Sequence, residues 1–335
     1  MSDSVRPRNL QAQVLQRDNF TPLARTPWAG DRIVSRYKPE LAARPVGESW
    51  EFSLGPEFAS TVQGGATLRG LVESDADAWL GTGSPALLVK LLDTATPLSV
   101  QIHPEDTDPA LAPSESGKPE SWYVTHADEG AGIYLGFQDG VGEADARRAA
   151  AGNGFDALMN YVPCKPHDFF VIPARTPHAI GAGLTLVEPQ RVALGTRGVT
   201  YRYWDWNRRY DQAGRPDPKG KPRELHLERA LAVTRWDLGT GALRKHASLG
   251  APTAQLQCLA GPGGALESDD LRVWRLAGDG RGELRHRQLR ALTVLEGSVQ
   301  VGDVVVRAGS TAALPAWGCY DFELFSALAI VSAAA

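Results

Sequence analysis

One short segment near residue 100 constrains the fold more than any other, because its side chains alternate in character. From Leu98 to His103, apolar and polar residues follow each other with a period of two. This is the pattern of a β-strand whose two faces meet different environments. The polar residues that share one face are Ser99, Gln101 and His103. The sequence therefore predicts a strand that presents a small polar group of side chains.

This polar face carries two groups that can ligate a metal, the amide of Gln101 and the imidazole of His103. A carboxylate follows at Glu120, and His178 is the best candidate for a fourth ligand. A mixed nitrogen and oxygen set of this kind suits a borderline divalent cation, zinc first. We therefore expect one Zn²⁺ per chain, with another divalent transition metal also compatible.

Length and charge narrow the possible classes of protein. At 335 residues the chain is long enough for two domains with a well-buried core. The formal net charge of −4 argues against a general nucleic-acid binder, since that role needs a broad basic surface. A small anionic ligand needs only a local basic patch, and basic residues accumulate between Glu188 and Glu224.

Cysteine usage and hydropathy indicate a cytoplasmic protein. The three cysteines are widely spaced and form no Cys-x-x-Cys pair, which argues against disulfides and against a thiolate zinc site. The N-terminus has no apolar core of a signal peptide, and no apolar run is long enough to span a bilayer. We expect a protein with no membrane partner, present as a monomer or homodimer.

Most of the chain consists of short apolar segments broken by Pro and Gly, which predicts a mainly β fold with a few short helices. Leu68–Leu80, Gly142–Asn160 and the stretch from Arg223 have helical spacing instead. We predict an N-terminal arm at residues 1–20, with a frayed helix as one form. A metal-binding catalytic domain at 21–238 and a C-terminal β domain at 239–335, which binds no metal, complete the prediction.

Taken together, these segments resemble type I mannose-6-phosphate isomerases in their short bacterial form, and the cupin superfamily beyond them. The matching blocks stand in family order: Pro22–Trp28, Gly47–Phe52, Leu88–Leu92, Ser99–Pro104, Gly117–Tyr123, Lys165–His178, Glu188–Gln190, Tyr201–Arg202 and Arg223–His226. The resemblance implies two cupin-type jelly-roll domains of β-sandwich or barrel form, the second degenerate. It also implies a zinc-dependent aldose-ketose isomerase that acts on mannose 6-phosphate and fructose 6-phosphate through an enediol-type intermediate.

The resemblance also assigns roles to residues beyond the metal ligands. Glu188 matches a family glutamate and is our candidate base, although a metal-bound water or Lys118 could serve instead. Lys118 is expected near the reacting carbons, and Arg202 at the phosphate. The residues expected to bind or act on the substrate are Ser99, Lys90, Lys118, Glu188 and Arg202.

Two other classes of function stay open at this point. The segment Arg191–Thr200 departs from the family, which puts the substrate in doubt, so another sugar could be the substrate of a metal cupin isomerase or epimerase. A non-catalytic sugar-binding cupin is the third class. A metal site built around His126, which follows the Glu120 segment closely, would be the main competing arrangement.

Overall fold

The computed structural model describes residues 10–41, 44–253, 255–285, 287–316 and 319–335. The chain is mainly β with short helices, which confirms the predicted fold class. The helices are α1 (Leu68–Ser74), α2 (Ala76–Leu80), α3 (Glu143–Ala150) and α4 (Leu227–Val233), with a π-helical turn at Ile33–Tyr37 and 3₁₀ turns at Phe155–Leu158 and Gly239–Lys245. Within the described residues, no helix is long and apolar enough to cross a membrane.

Short strands make up most of the remainder. They are β1 (Gln13–Val14), β2 (Glu48–Ser53), β3 (Leu87–Thr94), β4 (Val100–Ile102), β5 (Glu115–Ser116), β6 (Glu120–Ala127), β7 (Gly132–Phe137), β8 (Met159–Pro163), β9 (Asp168–Ile172), β10 (His178–Ile180), β11 (Leu184–Arg191), β12 (Arg197–Gly198), β13 (Tyr201–Trp204), β14 (His246–Ser248), β15 (Leu256–Ala260), β16 (Leu271–Arg285), β17 (Arg290–Val301), β18 (Val304–Arg307), β19 (Ser310–Leu314) and β20 (Cys319–Ala334).

The described residues form two compact units, each discontinuous in sequence. One unit takes its described residues from the ranges 10–19, 50–89 and 252–335, and the other takes them from 20–49 and 90–251. The predicted domain limits at residues 20 and 238 were drawn as single cuts along the chain. They stay predictions. Each predicted limit divides the chain at one position, whereas each compact unit combines several segments of the chain, so the two descriptions do not test each other.

The unit that contains residues 90–251 is a sandwich of two sheets. One sheet has the strand order β13-β4-β10-β7-β8, and the other runs β14-β9-β6-β11-β3-β2. Apolar side chains from both sheets share one buried core, as in a β-sandwich. Members of this core are Leu92, Leu98, Trp122, Val124, Ile133, Leu135, Phe170, Ile172, Ile180, Leu184 and Leu186.

Strand alternation makes one end of this sandwich polar. On β11, Leu184 and Leu186 lie in the core, and Glu188 and Gln190 continue the same face. On β6, Val124 belongs to the core at the corresponding level, since it pairs with Leu186. The strands therefore bury apolar residues at one end and collect ionisable groups at the other.

A second apolar core lies on the other side of the five-stranded sheet. It contains Val100 and Ile102 of β4 together with residues of α3 and α4. The predicted helix from Arg223 begins only at Leu227, so the prediction was wrong for its first four residues. The backbone N–H of His226 donates to the carbonyl of Arg202, which ties this segment to β13 outside the helix.

Phe155 is the fully buried centre of this second core, with 0% exposure and ring contacts to Phe137, Tyr203 and Trp204. We expect Phe155→Ala to lower the free energy of unfolding by about 3–5 kcal/mol, because it leaves a large cavity. Urea unfolding measures this change. Arg148→Ala, on an exposed helix face, is the control and should stay within about 0.5 kcal/mol of the parent protein; equal losses would contradict this role for Phe155.

The other unit is built around a seven-stranded antiparallel sheet in the order β1-β19-β17-β20-β16-β15, with β18 paired to β17. Within this sheet β17 and β18 form a hairpin that turns at Gly302. Gln13–Val14 is a strand paired with β19, so a helix is wrong for the described part of the predicted arm. Residues 1–9 of that arm lie outside the described residues.

Candidate metal site

Strand β4 places its central polar residue between two partners. Gln101 pairs with His178 of β10 on one side and with Arg202 of β13 on the other. Val100 and Ile102 turn the opposite way into the second core, as the alternation predicted. One row of the sheet therefore carries a histidine, a glutamine and an arginine side by side.

Three buried side chains converge next to this row. His103, Glu120 and His178 each offer a ligand atom, and these atoms lie within 4.8 Å of one another. His103 Nε2 is 3.2 Å from Glu120 Oε1, and His178 Nε2 is 3.8 Å from Glu120 Oε2. All three residues are at most 2% exposed. Such a cluster of buried ionisable groups needs either internal compensation or a cation.

The backbone determines which nitrogen of each imidazole is bare. His103 Nδ1 lies 2.8 Å from the carbonyl of Val199, and His178 Nδ1 lies 2.9 Å from the carbonyl of Thr176. A carbonyl only accepts, so each Nδ1 carries the proton and donates it. Both Nε2 atoms are then unprotonated, and each presents its lone pair to the cluster. This is how metal-ligating histidines are usually oriented.

The two oxygens of Glu120 have different surroundings. Oε1 accepts from Lys118 Nζ at 2.9 Å and from Gln190 Nε2 at 2.6 Å. Oε2 is buried and has no hydrogen-bond partner among the described residues, and the same holds for His103 Nε2. A carboxylate oxygen and imidazole nitrogens without protons bring unshared electron pairs close together in a buried site. A bound cation removes their mutual repulsion at a low cost in free energy.

Burial and neighbouring charges keep these groups in the ligating form. Burial, then the charge of Lys118, lowers the pKa of His103, and burial with the charge of His103 lowers the pKa of His178 to about 3. Burial alone would raise the pKa of Glu120, but Lys118 and His103 outweigh it and hold the pKa well below its usual value. Neutral imidazoles and an ionised carboxylate are the forms that bind metal.

The distances between the metal-ligating atoms agree with those around a tetrahedral zinc ion. With Zn–N distances near 2.1 Å, the ligand atoms of a tetrahedral site lie roughly 3.4 Å apart. The carboxylate-imidazole distances bracket that value, and Gln101 Nε2 lies 3.4 Å from His178 Nε2. Ser99 Oγ is 3.2 Å from Gln101 Oε1. Turning the amide over would aim Oε1 at the cluster and let the NH₂ group donate to Ser99 instead.

Glu188 lies on β11, the strand that pairs with the Glu120 strand β6. It is two residues before Gln190, which is the direct partner of Glu120. Its Oε1 accepts from Trp122 Nε1 at 3.0 Å, and the ring of Trp122 packs edge-on against His178 at 5.3 Å. Burial, reinforced by the charge of Glu120, raises the pKa of Glu188 to about 8. A carboxyl group with a pKa near neutrality can both take up and release a proton.

Lys90 occupies the neighbouring strand β3, and its Nζ is 3.3 Å from Glu48 Oε2. The charge of Lys90 acts on Glu188 by lowering its pKa, so the two side chains lie in one electrostatic environment. The prediction that Lys90 lies near the site agrees with this placement. Its predicted contact with substrate stays a prediction.

The structure therefore brings together the four candidate ligands, with Lys118, Glu188, Lys90, Ser99 and Arg202 around them. His126 is not among them, since it pairs with Asp128 on a partly exposed surface. Sequence reasoning missed the parts played by Gln190 and Trp122. The signal was present in both cases, because each lies two residues from a predicted site residue on an alternating strand.

The fold and this site define a class of protein, a cupin-type β-sandwich with a buried cluster of two histidines and a carboxylate that can hold a metal. The fold is that of the mannose-6-phosphate isomerases. The crystal structure of the Bacillus subtilis mannose 6-phosphate isomerase superposes with a TM-score of 0.75 at 23% identity, covering 96% of this chain and 99% of that one. A mannose 6-phosphate isomerase bound with zinc and yttrium superposes with a TM-score of 0.69 at 14% identity, covering 97% and 100%.

Sequence comparison points to the same proteins. The chain is 33% identical over 212 residues to the mannose-6-phosphate isomerase of Streptococcus mutans, a match that covers 62% of this chain and 63% of that protein. The chain thus spans less than two thirds of the length of this relative. No protein-family model matches the chain. The resemblance predicted from the sequence is confirmed by these relatives.

Proposed function

We propose that the chain is a zinc-dependent aldose-ketose isomerase that interconverts mannose 6-phosphate and fructose 6-phosphate. The observation that carries this proposal is the convergence of two Nδ1-protonated histidines on the buried carboxylate of Glu120, with Lys118 and a protonatable Glu188 in the same buried site. The names of the relatives support mannose 6-phosphate as a substrate.

Gln101, His103, Glu120 and His178 would hold the zinc ion in this proposal. When bound, zinc supplies Lewis-acid stabilisation of negative charge that develops on sugar oxygens. Isomerisation moves a hydrogen between C2 and C1 through an enediol-type intermediate, and a proton acceptor must stand beside these carbons. Glu188 takes that role, because its raised pKa lets it pick up a proton and return it within the site.

In this proposal Lys118 stabilises charge at the reacting end of the sugar, and Ser99 positions a metal ligand. Lys118 is held by Glu120, and the charges of Glu120 and Glu188 outweigh its burial and raise its pKa, so it stays cationic. A fixed ammonium group beside a developing oxyanion stabilises it without reorganisation. Ser99 fixes the amide of Gln101 and with it the orientation of that ligand.

A coupled isomerase assay tests the proposed function. The protein is stripped of metal with a chelator and then reloaded with zinc, and turnover of mannose 6-phosphate and of free mannose is measured in each state. We expect zinc-restored turnover of mannose 6-phosphate. A zinc-loaded, folded protein that turns over neither sugar would contradict the proposal and favour a binding cupin, and preference for the free sugar would point to another substrate.

Arg202 is the proposed phosphate ligand, because it lies one strand away from Gln101 on the same sheet. A guanidinium group can grip two phosphate oxygens at once. We expect Arg202→Ala to reduce kcat/KM for mannose 6-phosphate by about 10²-fold, with metal content unchanged, as measured by steady-state assay and elemental analysis. An equal loss on phosphorylated and free sugar would place Arg202 at the reacting carbons instead.

A further inference from the structure

Four buried polar atoms beside β13 have no hydrogen-bond partner among the described residues. They are Arg202 Nε, Asp205 Oδ2, Tyr210 Oη and Arg223 Nη1. Leaving such a group unsatisfied costs about 1–3 kcal/mol, and more where the group is charged. Arg202 Nε, Tyr210 Oη and Arg223 Nη1 are donors that an acceptor ligand would satisfy, whereas the carboxylate oxygen Asp205 Oδ2 faces Arg223 Nε at 3.8 Å. Native interiors contain few unsatisfied groups, so three such donors beside one strand indicate that an acceptor ligand completes the arrangement.

Arg223 reaches this spot because its segment lies outside the helix and is tied to β13. The N–H of His226 donates to the carbonyl of Arg202 at 2.8 Å, and the N–H of Arg202 donates to His226 Nδ1 at 3.3 Å. Arg223 lies just before this double contact, and its Nε is 3.8 Å from Asp205 Oδ2. A helix beginning at Arg223 would have carried the side chain elsewhere.

The charges at this spot are not balanced by the protein. Asp205 is the nearest carboxylate to Arg223, but its other oxygen already accepts from Arg208 Nη2 at 2.6 Å. The remaining carboxylates that act on Arg202 are Glu224, whose side chain is 83% exposed, and Glu48, which pairs with Lys90. Burial, then repulsion from Arg223, lowers the pKa of Arg202 to about 10. Two adjacent, mostly buried guanidinium groups of this kind are stabilised by a shared anion.

We propose that Arg223 and Arg202 form a guanidinium pair that binds a phosphomonoester dianion, with Arg223 as the second phosphate ligand of the site. Arg202 is opposite Gln101 across one strand spacing, and the Arg223 segment lies on the far side of Arg202. Neighbouring strands are roughly 4.8 Å apart, so the two arginines belong to segments at increasing distance from the metal ligand Gln101. In this proposal the sugar spans that distance, with its phosphate at the pair. This inference rests on the proposed function and adds a residue that sets its specificity for a doubly charged phosphate.

The variant Arg223→Gln tests the pair, with Lys219→Gln as the matched control because Lys219 is an exposed cation of the same loop. Both are compared with the parent protein in the zinc-loaded state. We expect Arg223→Gln to raise KM for mannose 6-phosphate by about 10- to 100-fold with kcat and metal content nearly unchanged. Binding of inorganic phosphate, measured by calorimetry, should weaken by a similar factor. Lys219→Gln should change neither quantity.

A conservative variant separates binding from folding. Arg223→Lys keeps the positive charge but loses the planar guanidinium group that can bind two phosphate oxygens at once. It should therefore restore part of the phosphate affinity that Arg223→Gln loses. Equal effects of Arg223→Gln and Lys219→Gln, or unchanged phosphate binding in Arg223→Gln, would overturn the proposal. If the parent protein turned over no mannose 6-phosphate, the isomerase assignment would fail, whereas a loss of phosphate binding in Arg223→Gln would still support the guanidinium pair.

Discussion

His103→Ala is expected to abolish zinc binding and to reduce isomerase turnover by about 10³-fold or more. The variant removes one of the two bare imidazole nitrogens and leaves the free oxygen of Glu120 with one fewer partner around the ion. Lewis-acid stabilisation is worth several kcal/mol, and about 1.4 kcal/mol corresponds to a factor of ten in rate. Elemental analysis of the purified variant measures the metal directly, and the coupled assay measures the rate.

His126→Ala is the matched control for this prediction, since it removes an imidazole from the same region of the chain. His126 pairs with Asp128 away from the cluster. The control should keep full metal content and parental turnover. If His103→Ala retained stoichiometric metal while His126→Ala lost it, the site would have to be rebuilt around His126.

Glu188→Gln is expected to lower kcat by about 10³-fold with zinc content unchanged, in the middle of the range assigned to general acid-base groups. The amide keeps the size of the side chain and can still accept from Trp122, so the local packing should persist. It cannot take up a proton. Exchange of solvent deuterium into the substrate at C1 or C2 should fall together with kcat.

Lys118→Met provides the comparison that separates the two candidate bases. Lys118 contacts Glu120 directly, so its removal should reduce turnover and also loosen zinc binding. Glu188→Gln should affect proton transfer alone. Full retention of solvent exchange in Glu188→Gln, together with its loss in Lys118→Met, would transfer the role of base to Lys118.

Several features of the fold could be predicted because they depend on local backbone properties. The alternation through Gln101 and His103 defined which side chains share a face, since a strand turns successive residues to opposite sides whatever its surroundings. The short segments broken by Pro and Gly indicated a mainly β chain for the same reason. Ligand chemistry added Glu120 and His178 as candidate partners of this strand, and the family resemblance supported the same choice.

Only the tertiary structure decided how these partners meet. The orientation of the His103 ring depends on the carbonyl of Val199, which lies on a distant segment of the chain, and nothing local to His103 indicates that contact. The raised pKa of Glu188 likewise depends on burial and on the charge of Glu120, which comes from another strand. Electrostatic environments of this kind arise from packing between distant segments.

The segment before α4 shows what the local sequence determined and what the tertiary structure determined. The sequence by itself determined that Leu227–Val233 is helical, because its apolar spacing and composition favour a helix with or without neighbours. The same pattern extended to Arg223, but there the tertiary structure prevailed, since pairing of His226 with Arg202 satisfies the backbone outside the helix. That exchange of hydrogen bonds, which no local pattern reports, is what puts Arg223 next to Arg202.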